Sequence, residues 1–163
     1  MPHVYDDFDA IASRIPDAVA VEYCHRHGVD RVTFGELAAL ACQAASTMAG
    51  LGVGAGDRCA ILAENHYRWF AAYLGTLRLG AVAVPLDTAY SASQVGTVTR
   101  DSAAKVLITS PRYLDVAREA VAAAPGPALL RLSGSADGIA ELVPASVAGA
   151  GPPALPSCPA AEG

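Results

Sequence analysis

Gly56-Asp57-Arg58-Cys59-Ala60-Ile61-Leu62-Ala63-Glu64-Asn65, running on through Trp69 to Leu77-Arg78-Leu79-Gly80-Ala81-Val82-Ala83-Val84-Pro85-Leu86-Asp87, reads as one strand–helix–strand unit. Residues 58–63 form a short apolar run entered from glycines, the mark of a buried strand. Asn65 is placed to cap the helix that follows, in which Trp69, Phe70, Tyr73, Leu74 and Leu77 fall at core spacing before Gly80 stops it. Residues 81–84 are the next strand. An apolar strand, a helix and a second apolar strand make a right-handed crossover, and crossovers of this kind build parallel sheets.

The alternation continues outward. Helices are predicted over 91–102 and 112–123, and strands over 105–109 and 128–132, which extends the unit to an α/β, doubly wound, mainly parallel sheet flanked by helices. Upstream, Phe34, Leu37, Ala41, Ala44, Met48 and Leu51 fall on one helical stripe. Thr33 with Glu36 spells a capping box at its start, and Gly52 supplies the positive φ at its end. Residues 18–23 and 31–33 flank a polar turn with Gly28 and predict an antiparallel hairpin. Tyr5, Phe8, Ile11, Ala12 and Ile15 predict a short amphipathic helix that Pro16 terminates.

The chain has 163 residues, 53% of them hydrophobic and 17% charged, which suits one globular unit. We divide it into an α/β subdomain over 1–141 and a Pro/Ala/Gly-rich linker or disordered tail over 142–163, where Glu162 is the one charged residue. A formal net charge of −5 with scattered arginines leaves no footprint for nucleic acid or an anionic membrane. Asp6, Asp7 and Asp9 stand where a secretory signal needs a basic start, so a cytoplasmic location is expected. Cys24, Cys42, Cys59 and Cys158 lack paired short spacing and read as reduced, mostly buried thiols.

No residue is assigned a catalytic, cofactor-binding or metal-binding role. The loop from Gly50 to Gly56 resembles a dinucleotide fingerprint, but it leaves a helix and enters a strand, whereas a phosphate loop must do the reverse. Lys105, the one lysine, follows no glycine loop. Asn65 and Trp69 read as cap and core packing, and His66 as an exposed residue without a nucleophile partner. Cys24-His25-Arg26-His27 puts neighbouring side chains on opposite faces of a strand end, which suits a polar turn better than a metal cage. Asp87 draws the most suspicion because it ends a parallel strand at its carboxyl edge, although a turn-forming Asp is the plainer reading.

Several of these motifs together resemble the adenylate-forming, or AMP-binding, enzymes: Thr33-Phe34-Gly35-Glu36-Leu37, Gly56-Asp57, and Leu77-x-x-Gly80-x-x-x-Val84-Pro85-Leu86-Asp87, in order, across residues 5–121. The spelling is most similar to that of acyl-CoA synthetases and fatty-acid CoA ligases. The resemblance implies an ATP-dependent carboxylate–CoA ligase that forms an acyl-adenylate, with ATP, Mg2+ and coenzyme A as the family's cofactors. It implies a structural role for Lys105. It also places the phosphate-gripping Thr-Ser-Gly-Thr-Thr-Gly loop after Gly163 and the adenylation lysine in a separate C-terminal domain. This chain alone is therefore expected to hold no cofactor and to be inactive and marginally stable, pairing with the missing C-terminal part of the ligase or with itself. A noncatalytic module from a truncated or split ligase gene is the alternative. An independent flavodoxin-like binding domain is disfavoured, because the turns at 63–65 and 86–88 lack glycine.

Overall fold

The computed structural model describes residues 4–122, 127–132 and 142–144. Helix α1 (Val4–Arg14) leads into a hairpin of β1 (Val19–His25) and β2 (Gly28–Thr33). Then come α2 (Phe34–Gly50), β3 (Arg58–Leu62), α3 (Tyr67–Arg78), β4 (Val82–Pro85), α4 (Ala92–Asp101), β5 (Val106–Thr109), a 3-10 turn at Pro111–Tyr113, α5 (Leu114–Ala122), β6 (Ala128–Leu132) and β7 (Leu142–Pro144). The sheet order is β4-β3-β5-β6-β7, parallel through β6, with β7 antiparallel to β6. The expected α/β sheet is the one observed. Strand β7 lies within the stretch read as linker; residues 145–163 lie outside the described residues, as do 1–3, 123–126 and 133–141.

Both faces of the sheet are covered, and the alternation of β3 shows how. Cys59 and Ile61 pack with Ala44 and Met48 of α2 and Ala72 of α3, while Ala60 and Leu62 pack with Val95 of α4 and Ala117 of α5. These four side chains are fully buried, so β3 after Arg58 reads as continuous apolar sequence, as strands sandwiched between helix layers do. A third cluster joins α1, the hairpin, α2 and α3 through Tyr5, Val32, Leu37, Leu40, Tyr67 and Leu74. Phe70, predicted in the core, is 42% exposed: it sits one residue round from Trp69, which packs inward and stacks on Tyr73.

The helix ends follow local chemistry. Thr33 and Glu36 form the predicted capping box of α2, and Ser91 with Gln94 forms another on α4. The cap of α3 is His66, not Asn65, because the turn after β3 starts one residue earlier and ends one residue later than predicted, and an imidazole nitrogen accepts as an amide oxygen does. Cys24 and Cys59 are free thiols, the first exposed and the second buried, and burial pushes the Cys59 thiol up. Cys42 is disulfide-bonded, which corrects its reading as a reduced thiol; no short cysteine spacing announces the bridge. Among the described residues, no helix is long and apolar enough to cross a membrane.

At the amino edge of the sheet, polar groups explain the Gly56-Asp57 pair. The Asp57 carboxylate accepts the Gly54 N–H at 2.8 Å and Lys105 Nζ at 3.1 Å, and Lys105 donates to the Gly52 carbonyl as well. Arg58 donates to the carbonyls of Gly56, Ser102 and Ala103, tying β3 to the end of α4. Ala103 has φ 49, a left-handed conformation for which an alanine is strained, and the Arg58 bonds hold it there. The Gly54 amide, and then Lys105, hold the Asp57 carboxyl below its ordinary range. A depressed carboxyl stabilises the fold above its unfolded pKa and ceases to as pH falls through the folded value. Asp57→Asn should therefore be less stable than wild type at neutral pH, with the gap closing as both are acidified. A gap independent of pH, in urea unfolding, would show that charge is not what holds this turn.

Candidate functional site at the carboxyl edge of the sheet

The chain moves from β3 to β4 on one side, then crosses back to place β5 on the other. Helix α3, which leads from β3 to β4, covers one face and α5, which leads from β5 to β6, the opposite face, so the connections that leave the carboxyl ends of β3 and β5 run in opposite directions. Open α/β sheets bind ligands in the crevice that such a divergence opens. Here that crevice lies between the residues following Leu62 and those following Thr109.

Glu64 and Ser110 face each other across it. Ser110 Oγ donates to Glu64 Oε2 at 2.5 Å, and the Ser110 amide donates to the Leu62 carbonyl at 3.3 Å. Ser110 begins the 3-10 turn at Pro111–Tyr113 without capping it; its hydroxyl is spent on Glu64, and the residue is 4% exposed. A buried hydroxyl directed at a carboxylate is a charge-assisted bond, stronger than a neutral one, and it clasps the two strand ends together. Neither residue was singled out from the sequence. The signal is a polar residue within two positions of the end of each of two buried apolar strands, but only the strand order makes them neighbours.

Asp87 stands at the end of the adjoining strand, exposed, and its carboxylate accepts the Ala89 N–H at 2.8 Å. That is an Asx-type turn, the plainer of its two readings. His66 is half-buried rather than exposed: its Nδ1 accepts the Arg68 N–H at 3.2 Å, and its ring packs on Tyr23 and Tyr67. Asn65 is exposed. His25 pairs with Asp30 at 3.3 Å, Arg26 donates to His27, and Cys24 is exposed. Among the described residues, no group of three or more His, Cys, Asp or Glu is placed to hold a metal ion.

The residues at these turns do not fit ATP with its metal. Phosphates need converging amides or cations, and the strand-to-helix turns present the carboxylates of Glu64 and Asp87 without a glycine. Lys105 is engaged at the opposite edge of the sheet. Arg68 and Arg112, which follow the turns in sequence, lie over the rings of Tyr67 and Tyr113 at 5.3 and 5.5 Å. The carboxyl edge is chemically a clasp between strands, with Glu64 engaged by Ser110 and Asp87 by the Ala89 amide.

Residues 8–150 match the family described as AMP-binding enzyme. Among curated proteins, the chain is 33% identical over 134 residues to a 3-hydroxybenzoate–CoA ligase of Aromatoleum, covering 82% of this chain and 25% of that one. It is 38% identical over 78 residues to the long-chain-fatty-acid–CoA ligase FadD13 of Mycobacterium tuberculosis, covering 48% of this chain and 16% of the relative. Among solved structures, the N-terminal domain of FACL13 from Mycobacterium tuberculosis superposes with a TM-score of 0.68 at 31% identity, over 78% of this chain and 32% of that one. The chain thus spans a third or less of the length of each of these relatives.

Proposed function

We propose, from the premise that this chain belongs to the AMP-binding enzyme family, that it is the amino-terminal scaffold of an ATP-dependent carboxylate–CoA ligase acting on fatty acids. In this reading ATP and a carboxylate give an acyl-adenylate and pyrophosphate, and the thiol of coenzyme A then displaces AMP. The chain's own residues frame that chemistry. They fix the sheet, through the Asp57–Lys105 and Arg58 ties at one edge and the Glu64–Ser110 clasp at the other, and the groups that grip phosphate and metal lie elsewhere in the longer protein.

The observation that carries the reading is the family match over residues 8–150, which contains the whole β3–α3–β4 crossover. The fatty-acid preference rests on the likeness to the long-chain-fatty-acid–CoA ligase FadD13, and the hydroxybenzoate ligase is the competing chemistry. The test supplies the whole protein with Mg-ATP, coenzyme A and either a long-chain fatty acid or 3-hydroxybenzoate, and follows pyrophosphate release and thioester formation. Turnover of the fatty acid is expected. Turnover of hydroxybenzoate alone keeps the ligase and overturns the fatty acid, and no pyrophosphate with either acid overturns both in favour of a noncatalytic module.

A further inference from the structure

His66 serves two elements at once. As N-cap of α3 it has extended backbone (φ −153, ψ 154), and its Nδ1 accepts the Arg68 N–H at 3.2 Å. Its ring lies 4.4 Å from the ring of Tyr23 on the hairpin and 4.1 Å from that of Tyr67 on α3. Tyr23 also stacks on His25 at 5.9 Å, and His25 pairs with Asp30 across the hairpin. One imidazole therefore caps a helix with its lone pair and docks the hairpin through its ring contact with Tyr23.

We infer that His66 is a pH-operated latch: as neutral imidazole it holds the first turn of α3 against hairpin β1–β2, and on protonation it releases both. An Nδ1 that accepts a hydrogen bond must be bare, so a proton added there turns the acceptor into a second donor aimed at the Arg68 amide. The cation would also sit at the positive end of the helix dipole, in a half-buried setting.

The charged groups around His66 oppose one another. Arg68 on α3 repels the imidazolium, while Glu64 at the end of β3 and Asp30 on the hairpin attract it; His25 lies beyond Tyr23 and is paired with Asp30. Burial first, and Arg68 second, prevail and hold the imidazole below its ordinary range. The sign follows: with the folded value below the unfolded one, the latch is closed above the usual histidine pKa of about 6.5 and opens as pH falls below it. The same turn carries Glu64, so opening it also loosens the partner of Ser110 at the strand divergence.

Hydrogen exchange in the whole protein tests this, with each amide normalised to its intrinsic rate at each pH. Protection of the Arg68 amide should fall progressively as pH drops from neutral through the histidine range, toward the level of an uncapped helix end. Exchange across β1 should rise at the same midpoint. His66→Asn keeps a capping oxygen that does not titrate, so its Arg68 protection should be flat over that range, and in His66→Ala it should be low throughout. A flat wild-type profile, different midpoints for Arg68 and β1, or an undiminished pH response in His66→Asn would each overturn the latch. The wild-type midpoints decide the matter even if a variant does not fold.

Discussion

Gly75→Val should destabilise the protein by more than about 3 kcal/mol, beyond the usual range for overpacking a core. Gly75 is buried on the face that α3 turns toward α2, and a Cβ built on it would lie 2.7 Å from the Ala41 carbonyl oxygen, 2.8 Å from Ala44 Cβ and 3.0 Å from the Ala45 nitrogen. Two of those atoms are backbone, so relief requires the helices to separate, not a side chain to rotate. Separation would open the core that Ala44, Met48 and Ala72 fill against β3. Glycine inside a helix is worse than alanine by about 1 kcal/mol. Gly75→Ala therefore gains that propensity and loses about 1–3 kcal/mol to the clash, leaving a modest net loss. Gly54 is the control, since it has ordinary φ and its Cβ would meet nothing within 4 Å. The measurement is the urea midpoint at unchanged slope; if Gly75→Ala were as neutral as Gly54→Ala, the two helices would have room to spare.

Nothing in a run of helical period distinguishes Gly75 from a tolerated glycine, and that marks the line between what was legible in this chain and what was not. Features set by neighbours in sequence were legible. The Thr33–Glu36 box, the stops at Gly52 and Gly80 and the buried run of β3 each depend on a few adjacent residues. Small shifts came from alternatives of nearly equal local energy: Asn65 and His66 both offer an acceptor to the first turn of α3, and the length of the turn decided between them. The candidate site depended on strand order. Glu64 and Ser110 are 46 residues apart, and their hydrogen bond exists because β5 returns to the far side of β3 from β4. A single sequence shows that the strands are parallel, through its crossovers, but not on which side of β3 each successive strand falls. Asp87 stood out because its strand end was recognisable from a motif, and it forms a turn; Glu64, inside the stretch that decides the fold, and Ser110 carry no local signal that they meet.

The doubly covered sheet makes a second large prediction, about independence of its two cores. Ile61 and Leu107 sit on adjacent strands and are both fully buried, yet they face opposite ways. Ile61 packs with Met48, Ala72 and Ile108, and Leu107 with Leu62, Val95 and Ala117. Truncating either to alanine leaves a cavity that its own helix layer cannot fill, at a loss of about 2–5 kcal/mol. Because the backbone sheet separates the cavities, the losses should add to within about 0.5 kcal/mol, as they do for sites without shared partners. Ile61→Ala with Leu107→Ala would then lose about 4–10 kcal/mol, comparable to the whole stability of a domain at about 5–15 kcal/mol, and should not fold. The coupling itself is measurable with the milder Ile61→Val combined with Leu107→Ala, in a double-mutant cycle of urea unfolding. Ile61→Val with Met48→Ala is the contrast, since both shrink one cluster and should couple by about 0.5 kcal/mol or more. Coupling of that size between Ile61 and Leu107 would mean that the strands shift as a unit and that the two faces behave as one core.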